Sequence, residues 1–254
     1  MTMQMNLISM LKQRWSGHSY PVADTEPAIA YNLWARNYDA QPENLMLALD
    51  EELFGGFLNR SNLKYKIIAD IGCGTGRHWG KILAQKPLTL YGYDVSEGML
   101  SRLKGKYPSA LVYYLQNNYL PQLGNNHVDT IISTLTIAHI ENIKDAFTEW
   151  HRVLKYGGEV IITDYHPEAL ARGGRRTFAH NGKTIAIKNY VHSIEKVFDV
   201  MQQTGFEFLE MDEKIIDDSV KRYYEEKQAL HVFEKFKNVP IIYGMRLRKR
   251  HVTT

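Results

Sequence analysis

An α/β fold built on a mostly parallel sheet is the class this sequence predicts, and three observations predict it. Short apolar runs recur through the middle of the chain, and segments of helical periodicity separate them. The runs are continuous rather than alternating, as in strands buried on both faces. The order is strand, helix, strand throughout, which places crossover helices against a parallel sheet.

In chain order, strands are predicted at Lys66–Ile71, Leu88–Asp94, Leu111–Gln116, Val128–Ser133 and Glu159–Asp164. Helices are predicted at Arg77–Gln85, Glu97–Tyr107 and Ile143–Leu154, the second opened by Ser96 as N-cap and the third closed by Gly157–Gly158. Residues 64–164 thus form five strand–helix units. Ser193–Thr204 then reads as helix, Phe206–Met211 as strand, Asp217–Lys237 as helix and Ile241–Leu247 as strand, giving seven strands in all. Residues 1–60 form a helical cap and residues 61–254 the core, a single domain overall. Residues 167–192 form an insertion after the fifth strand, and its "RRTFAHNGKTIAI" has the shape of a β-hairpin around an Asn-Gly turn.

Composition narrows the function classes. A 254-residue chain with 44% hydrophobic and 23% charged residues can bury a substantial core. The formal charge of +3 is too mild to argue for a nucleic-acid partner, and the basic ending "RLRKRH" reads as a solvated strand end. The single cysteine excludes an intrachain disulfide and a multi-thiolate zinc site, and suits a reducing cytoplasm. No run approaches the roughly 18 apolar residues of a membrane span. The N-terminus lacks an export signal, so a cytoplasmic protein is expected.

The stretch "IIADIGCGTGRHWG", residues 67–80, carries the chemistry. Gly72, Gly74 and Gly76 follow a buried strand and precede a helix, allowing a tight turn on which a ligand can lie against the main chain. The spacing is G-x-G-x-G, not the G-x-G-x-x-G of dinucleotide sites. Asp70 just ahead of it would repel a pyrophosphate and attract an ammonium. About twenty residues on, Asp94 ends the second strand, where a carboxylate accepts ribose hydroxyls. Both acids together suit a ligand with a cationic amino-acid end and a ribose.

These residues carry a resemblance. "ADIGCGTG", "YGYDVS" and "HRVLKYGGEVIITDY" resemble the first, second and fifth-strand motifs of the class I S-adenosylmethionine-dependent methyltransferases, and "NNHVDTIISTLTIAHIEN" resembles the fourth-strand segment of their small-molecule, quinone-biosynthesis-like branch. The resemblance covers Tyr31 to Asp164 well, and it implies a Rossmann-like fold, S-adenosyl-L-methionine as cofactor and S-adenosyl-L-homocysteine as product. It implies Asp70 beside the methionine moiety, Gly72, Gly74 and Gly76 along its backbone surface with Cys73 packed among them, and Asp94 on the ribose. Val95 and Met99 then lie near the adenine, Asn117 meets its amino edge in place of the usual acid, and Thr134 and Leu135 floor the site near the sulfonium. Tyr31 and Tyr38, in the aromatic "YNLWARNYDAQPEN" with Trp34, are expected to close over the cofactor.

For methyl transfer to a hydroxyl a base is needed, and His166 and His139, after the fifth and fourth strands, are the catalytic candidates. Arg175, Arg176, His180, Tyr190 and His192 of the insertion are placed to meet an acidic or phenolic substrate. No metal-ligand spacing is present. The expected activity is O-, N- or C-methylation of a small aromatic or amphipathic acceptor by a monomer or homodimer. An RNA or protein methyltransferase and a non-catalytic cofactor-binding protein are the alternatives.

Overall fold

The structure is a computed structural model that describes residues 23–41 and 44–251. The first part of the expected helical cap and the absence of an export signal concern residues 1–22, outside the described ones. The described chain begins with a short strand β1 (Asp24–Thr25) and two helices, α1 (Pro27–Trp34) and α2 (Leu45–Asn59). Asn44 caps α2, its side-chain oxygen accepting from Met46 N at 3.1 Å and Leu47 N at 3.3 Å.

The core then alternates β2 (Ile67–Ile71), α3 (Trp79–Ala84), β3 (Thr89–Asp94), α4 (Glu97–Lys106), β4 (Leu111–Tyr114), β5 (Val128–Thr134), α5 (Ile143–Val153) and β6 (Leu154–Tyr165). Ser96 caps α4 as expected, accepting from Met99 N at 3.1 Å. After α6 (Pro167–Ala171) come β7 (Thr177–His180), β8 (Lys183–Ile187), α7 (Ile194–Gln203), β9 (Phe206–Ile215), α8 (Lys221–Glu225), α9 (Leu230–Phe236) and β10 (Pro240–Lys249).

Seven strands form one sheet in the order β4-β3-β2-β5-β6-β10-β9, parallel through β6, with β10 antiparallel to both its neighbours β6 and β9. The period of two divides neighbouring side chains between its faces. Ile131, Val160 and Ile162 meet Phe147 and Trp150 of α5 and Met201 of α7, while Ile132 and Ile161 meet Phe54 and Phe57 of α2 and Leu103 of α4. Each of these fully buried aliphatic side chains contributes about 2 kcal/mol.

Three expectations are corrected. The third core helix ends at Val153 and the strand starts at once, so Gly157–Gly158 lies inside β6, where the pairing with β5 slips between Val128 and Thr130. Segment 217–237 is not one helix: a 3-10 turn at Asp218–Val220 leads into α8, and Gln228 at φ 51° separates α8 from α9. The third strand stops at Tyr114 rather than Gln116, because Leu115 leaves β3 after its amide reaches Asp94 O at 2.8 Å.

The insertion forms a hairpin, β7 antiparallel to β8, turning at Asn181–Gly182 with φ of 48° and 73°. Strand β1 adds to it in parallel, making a separate three-stranded sheet. Together with α1 this small sheet covers one end of the core, through a cluster of Ala30, Trp34, Tyr38, Met99, Phe178 and Ile187.

Candidate active site

The strand order reverses between β2, whose next neighbours are β3 and β4, and β5, whose next is β6. A crevice opens where the loops leaving such strands part, beyond their carboxyl ends. A cavity of about 490 Å³ occupies that position, a size suited to a cofactor. Its walls include Tyr31, Tyr38, Gly72, Gly74, Asp94, Val95, Met99, Asn117, Thr134, Leu135 and His139.

The glycine turn is shaped by what stands beside it. A Cβ on Gly72 would lie 2.0 Å from Thr136 Oγ1, whereas one on Gly74 would meet nothing within 4 Å, and both residues have positive φ. Gly72 thus lets the loop after β5 approach, and Gly74 leaves bare backbone facing open space. Gly76 does not line the cavity. A Cβ there would press on Leu103 and Trp79, so its role is the packing of the turn against α3 and α4.

Asp94 accepts Gly74 N and Ser96 N, both at 2.8 Å, tying the glycine turn to the start of α4. Burial pushes its carboxyl up to about 6. Asp70 lies in a side recess with Cys73, Arg77 and His78, bounded also by Tyr38, Gly72, Gly74 and Thr134, which the main cavity shares. Its carboxylate accepts Trp79 Nε1 at 2.8 Å, and burial raises its pKa to about 6. Two buried carboxylates, each with few donors, are sites that a ligand's ammonium and hydroxyls would satisfy. Asn117 lies at the far end of the cavity with Gln116 and Asn118, its Oδ1 accepting Tyr119 N at 2.9 Å and keeping a lone pair for a base amino group. These acceptors fit the ammonium, the ribose hydroxyls and the adenine amino group of S-adenosylmethionine.

The lid is held by polar bonds that the sequence did not disclose. Asn32 Oδ1 on α1 accepts Ser96 Oγ and Gly98 N, each at 2.8 Å, and Thr75 of the glycine turn donates to Asp39 at 2.6 Å. Tyr31 and Tyr38 face the cavity, while Trp34 stacks on Phe178 with centroids 4.7 Å apart and planes at 3°.

His139 and His166 part company. His139 lines the cavity; its Nδ1 is 3.0 Å from Lys188 O, which can only accept, so Nδ1 carries the proton and Nε2 accepts the Tyr31 hydroxyl at 2.9 Å. Burial, reinforced by Arg176, pushes its pKa down to about 3, so the imidazole stays neutral and is a poor proton acceptor. His166 lines none of this space. It caps α6 through Glu168 N at 3.2 Å, and its Nε2 reaches Glu213 at 3.0 Å, which corrects its expected place in the acceptor site. The antiparallel pairing of β10 beside β6 turns that strand end toward β9.

Of the insertion's candidates, Arg176 is the one that lines the cavity. Arg176 is 4% exposed, donating to Leu135 O and to the Tyr38 hydroxyl, each at 3.2 Å. Leu135 adopts φ 53°, which aims its carbonyl at that guanidinium. Arg175 meets Asp24 at 3.3 Å, Tyr190 meets Glu141 at 3.3 Å, and His192 Nε2 binds Ile140 O at 2.7 Å. His180 lies beside Asn181 at 3.2 Å. Asp164, whose pKa burial raises to about 7, accepts Ala138 N at 2.7 Å and so sets the turn that carries His139. The basic strand end is largely used up internally: Arg246 and Arg248 bind Glu159 at 2.7 and 2.9 Å, and Lys249 is buried on backbone carbonyls. Among the described residues no group of three or more His, Cys, Asp or Glu is placed to hold a metal, and no helix is long and apolar enough to cross a membrane.

Residues 69–162 match the family described as "Methyltransferase domain". An uncharacterised protein of Haemophilus influenzae is 32% identical over 42% of this chain and 44% of its own length. The biotin biosynthesis bifunctional protein BioHC of Teredinibacter turnerae is 31% identical over 56% of this chain and 26% of that protein. The tRNA U34 carboxymethyltransferase of Hahella chejuensis is 26% identical over 66% and 52% of the two chains. The chain thus spans about half or less of the length of these relatives. Among solved structures, an S-adenosylmethionine-dependent methyltransferase of Mesorhizobium loti superposes with a TM-score of 0.59 at 18% identity, covering 76% of this chain and 96% of that one. The [4+2]-cyclase SpnF superposes at 0.65 and 19% identity, covering 91% and 98%. Residues 69–162 are thus similar to a methyltransferase domain, and the fold is shared with S-adenosylmethionine-dependent methyltransferases of known structure.

Proposed function

We propose that this protein transfers the methyl group of S-adenosylmethionine to a small, aromatic or amphipathic acceptor. The observation that carries the reading is the covered crevice at the strand-order reversal, with the bare backbone at Gly74 beside the buried carboxylate of Asp94. When bound, the cofactor supplies an electrophilic methyl group on a sulfonium. Asp94 holds the ribose hydroxyls, Asp70 the ammonium end, and Asn117 the edge of the adenine. Tyr31, Tyr38 and Leu135 bound the space at the other end and exclude water from it. Catalysis then rests on in-line positioning, since His139 is too weakly basic to act as an effective base.

The closed cover of α1 and the β7–β8 hairpin favours a small acceptor over an RNA groove, as does the internal pairing of Arg246 and Arg248. Calorimetric titration with S-adenosylhomocysteine, with NADH as control, tests the cofactor. Binding of the former alone is expected. Folded protein that binds neither removes the basis of the methyltransferase reading, and NADH binding would replace it. Methyl incorporation into tRNA but not into small acceptors would overturn the acceptor class.

A further inference from the structure

Beyond the cofactor crevice lies a second cavity of about 410 Å³, and Arg176 lines both. The second space is walled by Leu45, Met46, Tyr224, Val232, Phe236 and Ile241. We propose that it receives the apolar body of an amphipathic carboxylic acid whose carboxylate docks on Arg176 and is the group methylated. The inference rests on the cofactor reading above.

Three observations support it. Arg176 is buried, yet among the described residues it forms no ion pair: its hydrogen-bond partners, the Leu135 carbonyl and the Tyr38 hydroxyl, are neutral, and the Asp164 carboxylate acts on it only from beyond ion-pair distance. A guanidinium has five N–H donors in a fixed fork that matches a carboxylate, and burying one without an anion is costly. The rings of Tyr31, Trp34 and Tyr165 surround it, with centroids 5.4, 5.8 and 5.8 Å from Cζ, so the fork is held in place before any acid arrives. The same cation helps to keep His139 unprotonated, which suits an acceptor that needs no base.

The step balances without a proton transfer. A lone pair of one carboxylate oxygen forms the bond to the methyl carbon as the carbon–sulfur bond breaks, and that electron pair stays on sulfur. A methyl ester and a neutral thioether result, and the guanidinium keeps its protons throughout.

The test is calorimetric titration of decanoate and of decanol into protein saturated with S-adenosylhomocysteine. Decanoate is expected to bind tighter than decanol by about tenfold or more, the scale of a hydrogen-bonded charge. Arg176→Met should abolish that preference, while Arg176→Lys should keep part of it. Equal affinity of wild-type protein for acid and alcohol overturns the proposal, and that comparison needs no variant. Loss of S-adenosylhomocysteine binding in Arg176→Met with decanoate binding retained would assign the guanidinium to the cofactor's own carboxylate and also overturn it. Failure of S-adenosylhomocysteine to bind wild-type protein would instead be a failure of the cofactor reading.

Discussion

Asp94 serves two structures with one carboxylate. Its oxygens hold the amides of Gly74 and Ser96, and the same group faces the cavity where a ribose would lie. Asp94→Ala should therefore weaken S-adenosylhomocysteine binding by about 1–3 kcal/mol in a folded protein; unchanged affinity by calorimetry would remove the ribose role. Because burial raises both Asp70 and Asp94 to about 6, and the ligand is satisfied best by their ionised forms, binding near pH 6 should release protons. Titrations in buffers of different ionisation enthalpy read that release, and proton uptake would contradict the assignment. These acids were legible because turn glycines and strand-end carboxylates are local signals. Arg176 was not separable from Arg175: which of two adjacent arginines turns inward is decided by how β7 and β1 pack around β8, contacts far away in sequence.

At the scale of elements, the hairpin and α1 act as one piece through the Trp34–Phe178 stack. Removing that ring with Phe178→Ala should loosen the hairpin locally. Amide exchange in Lys183–Ile187 is expected to accelerate by about two orders of magnitude, with β2 and β5 unaffected. Uniform acceleration across the sheet would show that the hairpin is not an independently opening unit. The hairpin itself was readable, since Asn-Gly demands a particular turn. Its partner β1 was not, because two residues of strand leave no periodic trace. The break between α8 and α9 escaped for a related reason: helical periodicity persists on both sides of it, and the turn after Glu225, with Gln228 at φ 51°, is a backbone feature.

In the whole molecule, Asp50 of α2 is a buried junction. It accepts from Thr163 of β6 and from Arg77, with His78 Nε2 at 2.8 Å, so it joins the cap helix to the sheet and to the segment after the glycine turn. Asp50→Ala should destabilise the protein by about 1–3 kcal/mol in urea unfolding, because it leaves the buried Thr163 hydroxyl and His78 Nε2 without their shared partner. The pH behaviour divides by sign. Asp50 is held below the ordinary carboxylate range, chiefly by His78 and Arg77 working against burial, so its contribution is present above about pH 4 and lost only in stronger acid. Asp70, Asp94 and Asp164 are raised to about 6, 6 and 7, so what they contribute is present below about pH 4 and disappears as pH rises through 6 to 7. The ligand-free protein should thus be less stable at pH 8 than at pH 5, and S-adenosylhomocysteine should restore more stability at the higher pH. The alternating order made the α/β class legible, but the Asp50 junction draws on three separate stretches of chain and has no local signature.

The sheet order has a consequence for a chain still being made. Strand β10 is an interior strand between β6 and β9, although it comes last among the described elements. While the ribosome has delivered the sequence only as far as Tyr165, β6 has β5 on one side and an open edge on the other, flanked by Val160, Ile161 and Ile162. Such an edge pairs readily with another copy of itself. The nascent chain therefore passes through an adhesive stage that ends only when β10 emerges and slots in, and slow translation of residues 166–239 would prolong the exposure.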